Sequence, residues 1–404
     1  MTGGPDEADG AKGADGAEGA DGSDRAVRAD GAARADGAGR GPGGSVGDTG
    51  EGTGNGPVRG RGQARRRGTG TWSVTGAGSA PGAGSPSGAG GGGALLVVGD
   101  VVTDVVARHR GPLAPGTDTA AVIRTLPGGA GANVACWAAH RGCPDVRLLG
   151  RVGAESAAWH ERELTACGVR PRLVVDPHAA TGTVICLVDR DAAAERTFLT
   201  DSGASLRLDP DDWSDALLDG VARLHLSGYL LFSQTGRALV RTAAASARAR
   251  GTPVSLDPAS AGFLTELGVD RFLALVEDVD VLLPSRDEAG LLTGLSDPAE
   301  AAAELSRHIP LVVAKHGADG ALVARDGAVL ARVPAVAATP KDTTGAGDAF
   351  TGAFLAALLT GDDAVAAAEE GCLAGALAVE RVGGRPPAPG DTAATATARN
   401  THVP

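Results

Sequence analysis

The stretch Asp342-Thr-Thr-Gly-Ala-Gly-Asp-Ala-Phe350 puts a carboxylate directly behind a glycine-rich turn. The residues that follow, Thr351-Gly-Ala-Phe-Leu-Ala-Ala-Leu-Leu359, form an apolar helix with good helix propensity. The backbone amides of Gly345, Ala346 and Gly347 then stand at its N-terminus. The first amides of a helix have no partner inside it, and the helix dipole adds about half a positive charge there. Such an end attracts an anion, phosphate above all. Gly345 and Gly347 let a ligand come close to the backbone. An acid beside a bound phosphate makes sense as a proton acceptor, which is the role open to Asp348. A plain turn with an Asp or Thr N-cap is the alternative.

A second glycine turn, Leu126-Pro-Gly-Gly-Ala-Gly-Ala-Asn-Val-Ala135, leads into a helix from Val134 to about His140, with Asn133 in its first turn. Upstream, Asp100 and Asp104 follow an apolar run in Gly99-Asp-Val-Val-Thr-Asp104. A carboxylate there can accept two hydrogen bonds from neighbouring hydroxyls, as a sugar offers, or it can rest in solvent as a loop acid. Asn133 carries a donor and an acceptor on one side chain, and its alternative is a helix cap.

These two turns, G-G-x-x-x-N and then D-T-x-G-A-G-D about two hundred residues later, resemble the two signatures of the ribokinase-like carbohydrate kinases, the PfkB family. The resemblance runs in order from about Leu95 to Gly384. It implies an α/β fold, a ribokinase-like three-layer sandwich with a mostly parallel central sheet and a small β lid over the sugar site. It also implies transfer of the ATP γ-phosphoryl group to a sugar hydroxymethyl group, with Asp348 as general base and the amides of Gly345, Ala346, Gly347 and Asp348 as the anion hole. Asp104 matches the sugar-binding aspartate, and Gly128, Gly129 and Asn133 fall beside it. Mg²⁺ is implied with ATP.

Glu288, in Leu283-Pro-Ser-Arg-Asp-Glu-Ala289, falls where the family has an N-x-x-E motif that organises magnesium through water. Here Ser285 stands in place of the asparagine. Lys315-His-Gly-Ala-Asp-Gly320 resembles the nucleotide loop, which would bring Lys315, Gly317 and Gly320 close to ATP together with Thr344. Lys315 either supplies charge to phosphate or pairs with an acid. The stretch Ala378–Gly384 resembles the segment that flanks adenine and, in several relatives, a K⁺ site shared with Asp342 and Thr344.

Three functions compete. A sugar kinase leads. Asp257-Pro-Ala-Ser260 lacks the asparagine and arginine that ketodeoxygluconate and fructose kinases of the family place there, so neutral sugars stand ahead. Arg196 on the lid is the candidate partner for an acidic sugar, or an exposed lid charge. A nucleoside kinase of the same family needs an aromatic pocket for a base. With one tyrosine and four tryptophans, two of them (Trp137 and Trp159) on expected helices, the sequence presents no clear stacking platform. The third is a catalytically silent sugar-binding regulator, against which an intact Asp348 counts.

A chain of 404 residues with a formal charge of −12 does not suit nucleic acid, which demands a basic surface. Residues 1–93 are Gly, Ala, Asp, Arg and Ser with almost no large apolar side chain, and are expected to be a disordered tail. Glycine recurs every third residue from Gly10 to Gly22 without the proline of collagen. Arg59–Arg67 is a small basic island, and no apolar segment follows it that would make an export signal. No apolar run reaches membrane-spanning length. Cys136, Cys143, Cys167, Cys186 and Cys372 are scattered without metal-ligand spacing, which suits reduced thiols and a cytoplasmic protein. There is no P-loop motif and no dinucleotide-binding fingerprint.

To position these residues, the chain from Ala94 to about residue 388 alternates short apolar runs with helical patterns. Buried strands are expected at Leu95–Val98, Val146–Leu149, Leu173–Val175, Leu224–Leu226, Val254–Leu256, Val281–Leu283 and Leu311–Ala314. Helices are expected at Ala154–Ala166, Gly236–Arg248, Asp287–Leu292 and Pro298–Arg307. Thr119–Leu126 and Thr183–Leu199 break the rhythm as β-like stretches. They are the expected lid, from about 105–126 and 181–201, which by analogy pairs two copies into a homodimer. Residues 389–404 are expected to be a flexible tail.

Overall fold

The computed structural model describes residues 93–189 and 196–387. The expectations for tails over 1–93 and 389–404 therefore fall outside the described residues, Gly93 apart, as does the Arg196 side chain.

In chain order the strands are β1 (Ala94–Val98), β2 (Val102–His109), β3 (Ala121–Gly128), β4 (Val146–Gly153), β5 (Val169–Asp176), β6 (Thr181–Asp189) and β7 (Arg196–Gly203). They continue as β8 (Val221–Ser227), β9 (Val254–Asp257), β10 (Val281–Leu282), β11 (Leu311–Lys315), β12 (Ala321–Arg325) and β13 (Ala328–Val333). The first α-helices are α1 (Ala130–His140), α2 (Ala157–Ala166), α3 (Gln234–Ala249), α4 (Ala261–Leu267) and α5 (Val269–Leu275). The rest are α6 (Arg286–Thr293), α7 (Pro298–Leu305), α8 (Ala346–Thr360) and α9 (Ala364–Val379).

Nine strands form the main sheet in the order β13-β12-β11-β10-β9-β8-β1-β4-β5. From β11 to β5 every pair is parallel, and β12 and β13 add an antiparallel edge. Strand β1 reads Ala-Leu-Leu-Val-Val because both its faces are covered, and every one of its residues is buried. Successive side chains point to opposite faces. Leu96 and Val98 join a core with Leu239, Phe272 and Leu292 from the helices on one side, and Leu95 and Val97 join one with Val134, Leu164 and Phe354 on the other. Burying a leucine of this kind contributes about 1.5–3 kcal/mol. Helix, sheet and helix make the three layers.

The chain runs outward from β1 in both directions, so β1 and β8 flank the point where strand order reverses, the place at which open sheets bind ligands. Above it lies a second sheet, β3-β2-β6-β7, antiparallel except for β2 and β6. The two β-like stretches are thus a lid, held by a small core of Val106, Cys186 and Val188 against Leu126.

Several elements differ from their sequence reading. Strand β2 starts at Val102, so Asp104 is a strand residue rather than a loop acid; its strand pairs on both edges, with Gly128–Ala121 and Gly182–Asp189. Helix α1 starts at Ala130, four residues before Val134, because the Asp100 carboxylate takes up its first amides. Helices α4, α5 and α9 and the β12–β13 hairpin carry no strong sequence signal. Among the described residues no helix is long and apolar enough to cross a membrane, and none of the five cysteines is in a disulfide.

Candidate active site

The turn before α8 is built around Gly345, at φ 73° in the left-handed region, where a Cβ would come within 2.5 Å of the Gly384 Cα. Only glycine fits. No side chain caps this helix, whereas Asp363 caps α9 and Asp297 caps α7. The amides at its N-terminus therefore face an open cavity, as an anion site requires. Asp348 lies in the first turn without capping it. Its Oδ2 instead accepts a 2.9 Å hydrogen bond from Asn133 Nδ2. Burial pushes the Asp348 carboxyl up to about 7; the Asn133 bond pulls it down, Asp257 and Asp100 push it up, and Lys315 pulls it down.

The first glycine turn is held from both sides. Asp100 accepts from Ala130 N at 2.7 Å, from Gly131 N at 3.1 Å and from Ser227 Oγ at 2.8 Å. It is a buried anchor that ties β1, β8 and α1 together across the switch point, not a solvated acid. Its neighbour on the lid has a different role. A Cβ at Gly128 would lie 2.3 Å from the Asp104 carboxylate, so the glycine leaves room for that acid to face the cavity. Burial drives Asp104 up to about 7, Arg385 offsets part of that, and Asp100 and Asp342 add to it. Gly129 is the N-cap of α1, so Asn133 is free of capping duty. Arg385 clamps the turn, donating to Ala132 O at 2.8 Å, Gly128 O at 3.1 Å and Pro127 O at 3.4 Å.

A cavity of about 1390 Å³ gathers these groups. Asp104, Gly129 and Asn133 line it, together with Gly345, Ala346, Gly347 and Asp348 of the anion turn and with Lys315, Gly317, Gly320 and Thr344. Gly128 and Asp342 lie behind the wall. Asp342 accepts amide hydrogens from Thr344 at 2.9 Å and Gly383 at 3.0 Å, tying the anion turn to the 383 loop.

A family model for the pfkB family of carbohydrate kinases matches residues 94–391. The chain belongs to the PfkB family. As a family member it is a phosphotransferase with an alcohol group as acceptor. It is similar to a fructokinase of Klebsiella pneumoniae, 30% identical over 66% of this chain and 84% of that one. It is also similar to the bifunctional protein HldE of Caulobacter vibrioides, 29% identical over 72% of this chain, and spans 61% of that relative's length. An Escherichia coli protein described as a ribokinase II, solved in complex with ATP and Mg²⁺, superposes with a TM-score of 0.64 at 26% identity, covering 72% of this chain and 94% of that one.

Among PfkB features, the serine in place of asparagine has a local reason here. Ser285 Oγ accepts the Glu288 amide, and Glu288 Oε2 accepts the Ser285 amide at 2.7 Å, a capping box that opens α6. Burial and Asp257 push the Glu288 carboxyl up, while Lys315 pulls it down. Among the described residues no group of three or more His, Cys, Asp or Glu side chains could hold a metal. Glu288 lines the cavity and would reach a Mg²⁺ there through water, which suits an ion that keeps several of its own waters.

Lys315 pairs with an acid, the second of its two sequence readings, without losing its place beside the anion turn. Its ammonium donates to Asp257 Oδ2, which also accepts from Thr351 Oγ1 at 2.9 Å. Burial works against the charged lysine, but Asp257, Glu288 and Asp348 outweigh it and hold its pKa up. A Cβ at Gly347 would sit 3.5 Å from Nζ, so the ammonium borders the anion turn as well. Sequence reasoning missed the Asp257–Thr351 link and Arg385. It also missed Tyr229 and Phe263, which line the cavity. Trp137, by contrast, is fully buried and donates to Gly384 O at 2.9 Å.

Proposed function

We propose that this chain transfers the γ-phosphoryl group of ATP to a hydroxymethyl group of a sugar-containing acceptor, with Asp348 as general base. The Asn133–Asp348 hydrogen bond carries this reading, since it aims a carboxylate with a pKa near 7 across an uncapped helix N-terminus. Asp104 and Asn133 hold the acceptor hydroxyls. The hydroxyl proton passes to an Asp348 oxygen as the acceptor oxygen forms its bond to the γ-phosphorus, and the bond to the β-phosphate oxygen breaks to release ADP. Proton acceptance of this kind supplies about 10²- to 10⁴-fold. The amides of Gly345 to Asp348 meet the charge on the phosphoryl oxygens, with the Lys315 ammonium beside them. Glu288 would hold Mg²⁺ through water, and that ion would supply charge to offset the phosphates.

Asp342 is accounted for by its two amide bonds, and K⁺ at Asp342 and Thr344 is an addition to the reading rather than a requirement of it. Pairing of two copies through the lid is part of the proposal, supported by the exposed Val122 and Ile123 on β3 and Leu199 on β7. The test is product formation from Mg·ATP and a mixed pool of acceptors, read by mass spectrometry, with Asp348→Asn as control. A compound that gains one phosphate only with the unmutated chain supports the kinase. Sugar binding without turnover in either protein returns the regulator reading.

A further inference from the structure

The chain has six phenylalanines and one tyrosine, and three of these seven meet at one place on the cavity. Phe232 and Phe263 lie with ring centroids 4.7 Å apart and 30° between planes. Tyr229 stands edge-on to both, at 6.0 Å and 5.9 Å. Tyr229 and Phe263 line the cavity, and a further phenylalanine, the half-exposed Phe198, lines it from lid strand β7. The group follows β8 and β9, on the side of β1 and Asp104, whereas the nucleotide loop follows β11. Tyr229 and Phe263 thus share the cavity with Asp104 and Asp348 on the β1 side of the sheet, away from the loop after β11.

Charge narrows the acceptor further. Among the described residues lining the cavity, Asp100, Asp104, Asp257, Glu288 and Asp348 face a single ammonium, Lys315, already paired with Asp257. His225 also lines it, but burial holds its pKa near 4 and keeps it neutral. Bound ATP draws on the helix amides and on Lys315. Among the described residues that line this wall, a second anion such as a phosphate or carboxylate on the acceptor would find no further cation, since Arg385 is engaged behind the glycine turn, and it would face Asp104 and Asp348.

We infer that Tyr229 and Phe263 form the specificity wall of the acceptor site, and that the acceptor is an uncharged sugar bearing a planar heterocycle, a nucleoside. The inference rests on the kinase reading above. The rings offer a face for the heterocycle, while Asp104 and Asn133 take the sugar hydroxyls. Bare sugars leave that apolar wall uncovered, and sugar acids and sugar phosphates meet uncompensated carboxylates.

The test uses the full chain with Mg·ATP and four acceptor classes: nucleosides, bare neutral sugars, sugar acids and sugar phosphates. A nucleoside is expected to lead in kcat/KM by about tenfold or more over its bare sugar. Phe263→Ala is expected to raise the nucleoside KM about tenfold while leaving the KM for ATP within about twofold, with Phe263→Tyr restoring it. A bare sugar, sugar acid or sugar phosphate as best acceptor overturns the inference. So does a Phe263→Ala variant that loses bare-sugar and nucleoside affinity equally. Calorimetry of nucleoside binding separates this from failure of the kinase reading. Binding that depends on Phe263 without any turnover keeps the wall and sinks the kinase, and turnover on another class with no nucleoside binding does the reverse.

Discussion

Asn133 Nδ2 and Asp348 Oδ2 meet at 2.9 Å across a sequence separation of 215 residues. The bond joins the first turns of α1 and α8, so each glycine signature supplies half of the pair proposed to take the acceptor proton. Asn133→Ala removes a donor that favours the charged carboxylate, and the carboxyl pKa must rise. A kcat/KM–pH profile is expected to climb to a plateau above about pH 7 in the unmutated chain and to shift its midpoint upward in the variant. Asp104 titrates near the same value, so the acid limb should be steeper than one proton.

Asp348→Asn keeps the size and the hydrogen-bonding edge but takes no proton. Single-turnover rates are expected to fall by about 10²- to 10⁴-fold. ATP affinity by calorimetry should stay close to that of the unmutated chain, because the helix amides are untouched. A variant that loses ATP affinity in step with turnover would show Asp348 to be structural.

Stability carries the opposite pH signature. Between the ordinary carboxylate range and about 7, folded Asp104 and Asp348 keep protons that the unfolded chain has released. A proton bound more tightly by the folded state makes stability fall as pH rises through that window. Denaturant titrations of the unliganded chain at pH 5 and pH 8 should show this loss, and Asp104→Asn should remove part of it.

Lys315→Met leaves Asp257 buried near Glu288 with only the neutral donors Thr351 Oγ1 and Ala259 N as partners. The pair is 13% exposed on each side, so the cost is that of an orphaned buried charge, about 3–5 kcal/mol. Lys315→Met combined with Asp257→Asn should recover much of the melting temperature but not the rate, if the ammonium serves the phosphoryl group as well as the aspartate.

Much of the site was legible because glycine turns announce themselves. At Gly345 a left-handed φ and a neighbour at 2.5 Å leave no other residue possible, and the requirement is local in sequence. The central strands were legible for a similar reason, since burial on both faces writes an unbroken apolar run such as Ala94–Val98. Asp257, Thr351 and Arg385 were not. Each owes its role to partners from 58 to 258 residues away, and nothing near it in sequence differs from an ordinary strand end, helix face or loop. The aromatic wall was missed because Tyr229 and Phe263 come from separate elements, the helical turn after β8 and helix α4. Helix α9 was missed because its alanines run round the helix and leave only a weak apolar stripe.

If the lid pairs two copies, light scattering should give a mass near twice 39.8 kDa. Ile123→Glu, at a side chain 64% exposed on β3, should shift that mass to the monomer without unfolding the chain. A monomeric mass for the unmutated chain removes the lid contact from the proposal.

Arg385 fastens the carbonyls of Pro127, Gly128 and Ala132, which the ribosome has made more than two hundred residues earlier. During translation the central strands and the acceptor turn emerge well before the clamp that steadies them. The phosphate-handling helix also appears only near the end. A nascent or prematurely terminated chain therefore holds part of the sheet without the clamped turn, and on the proposed function it would have no finished reaction centre until synthesis has passed residue 385.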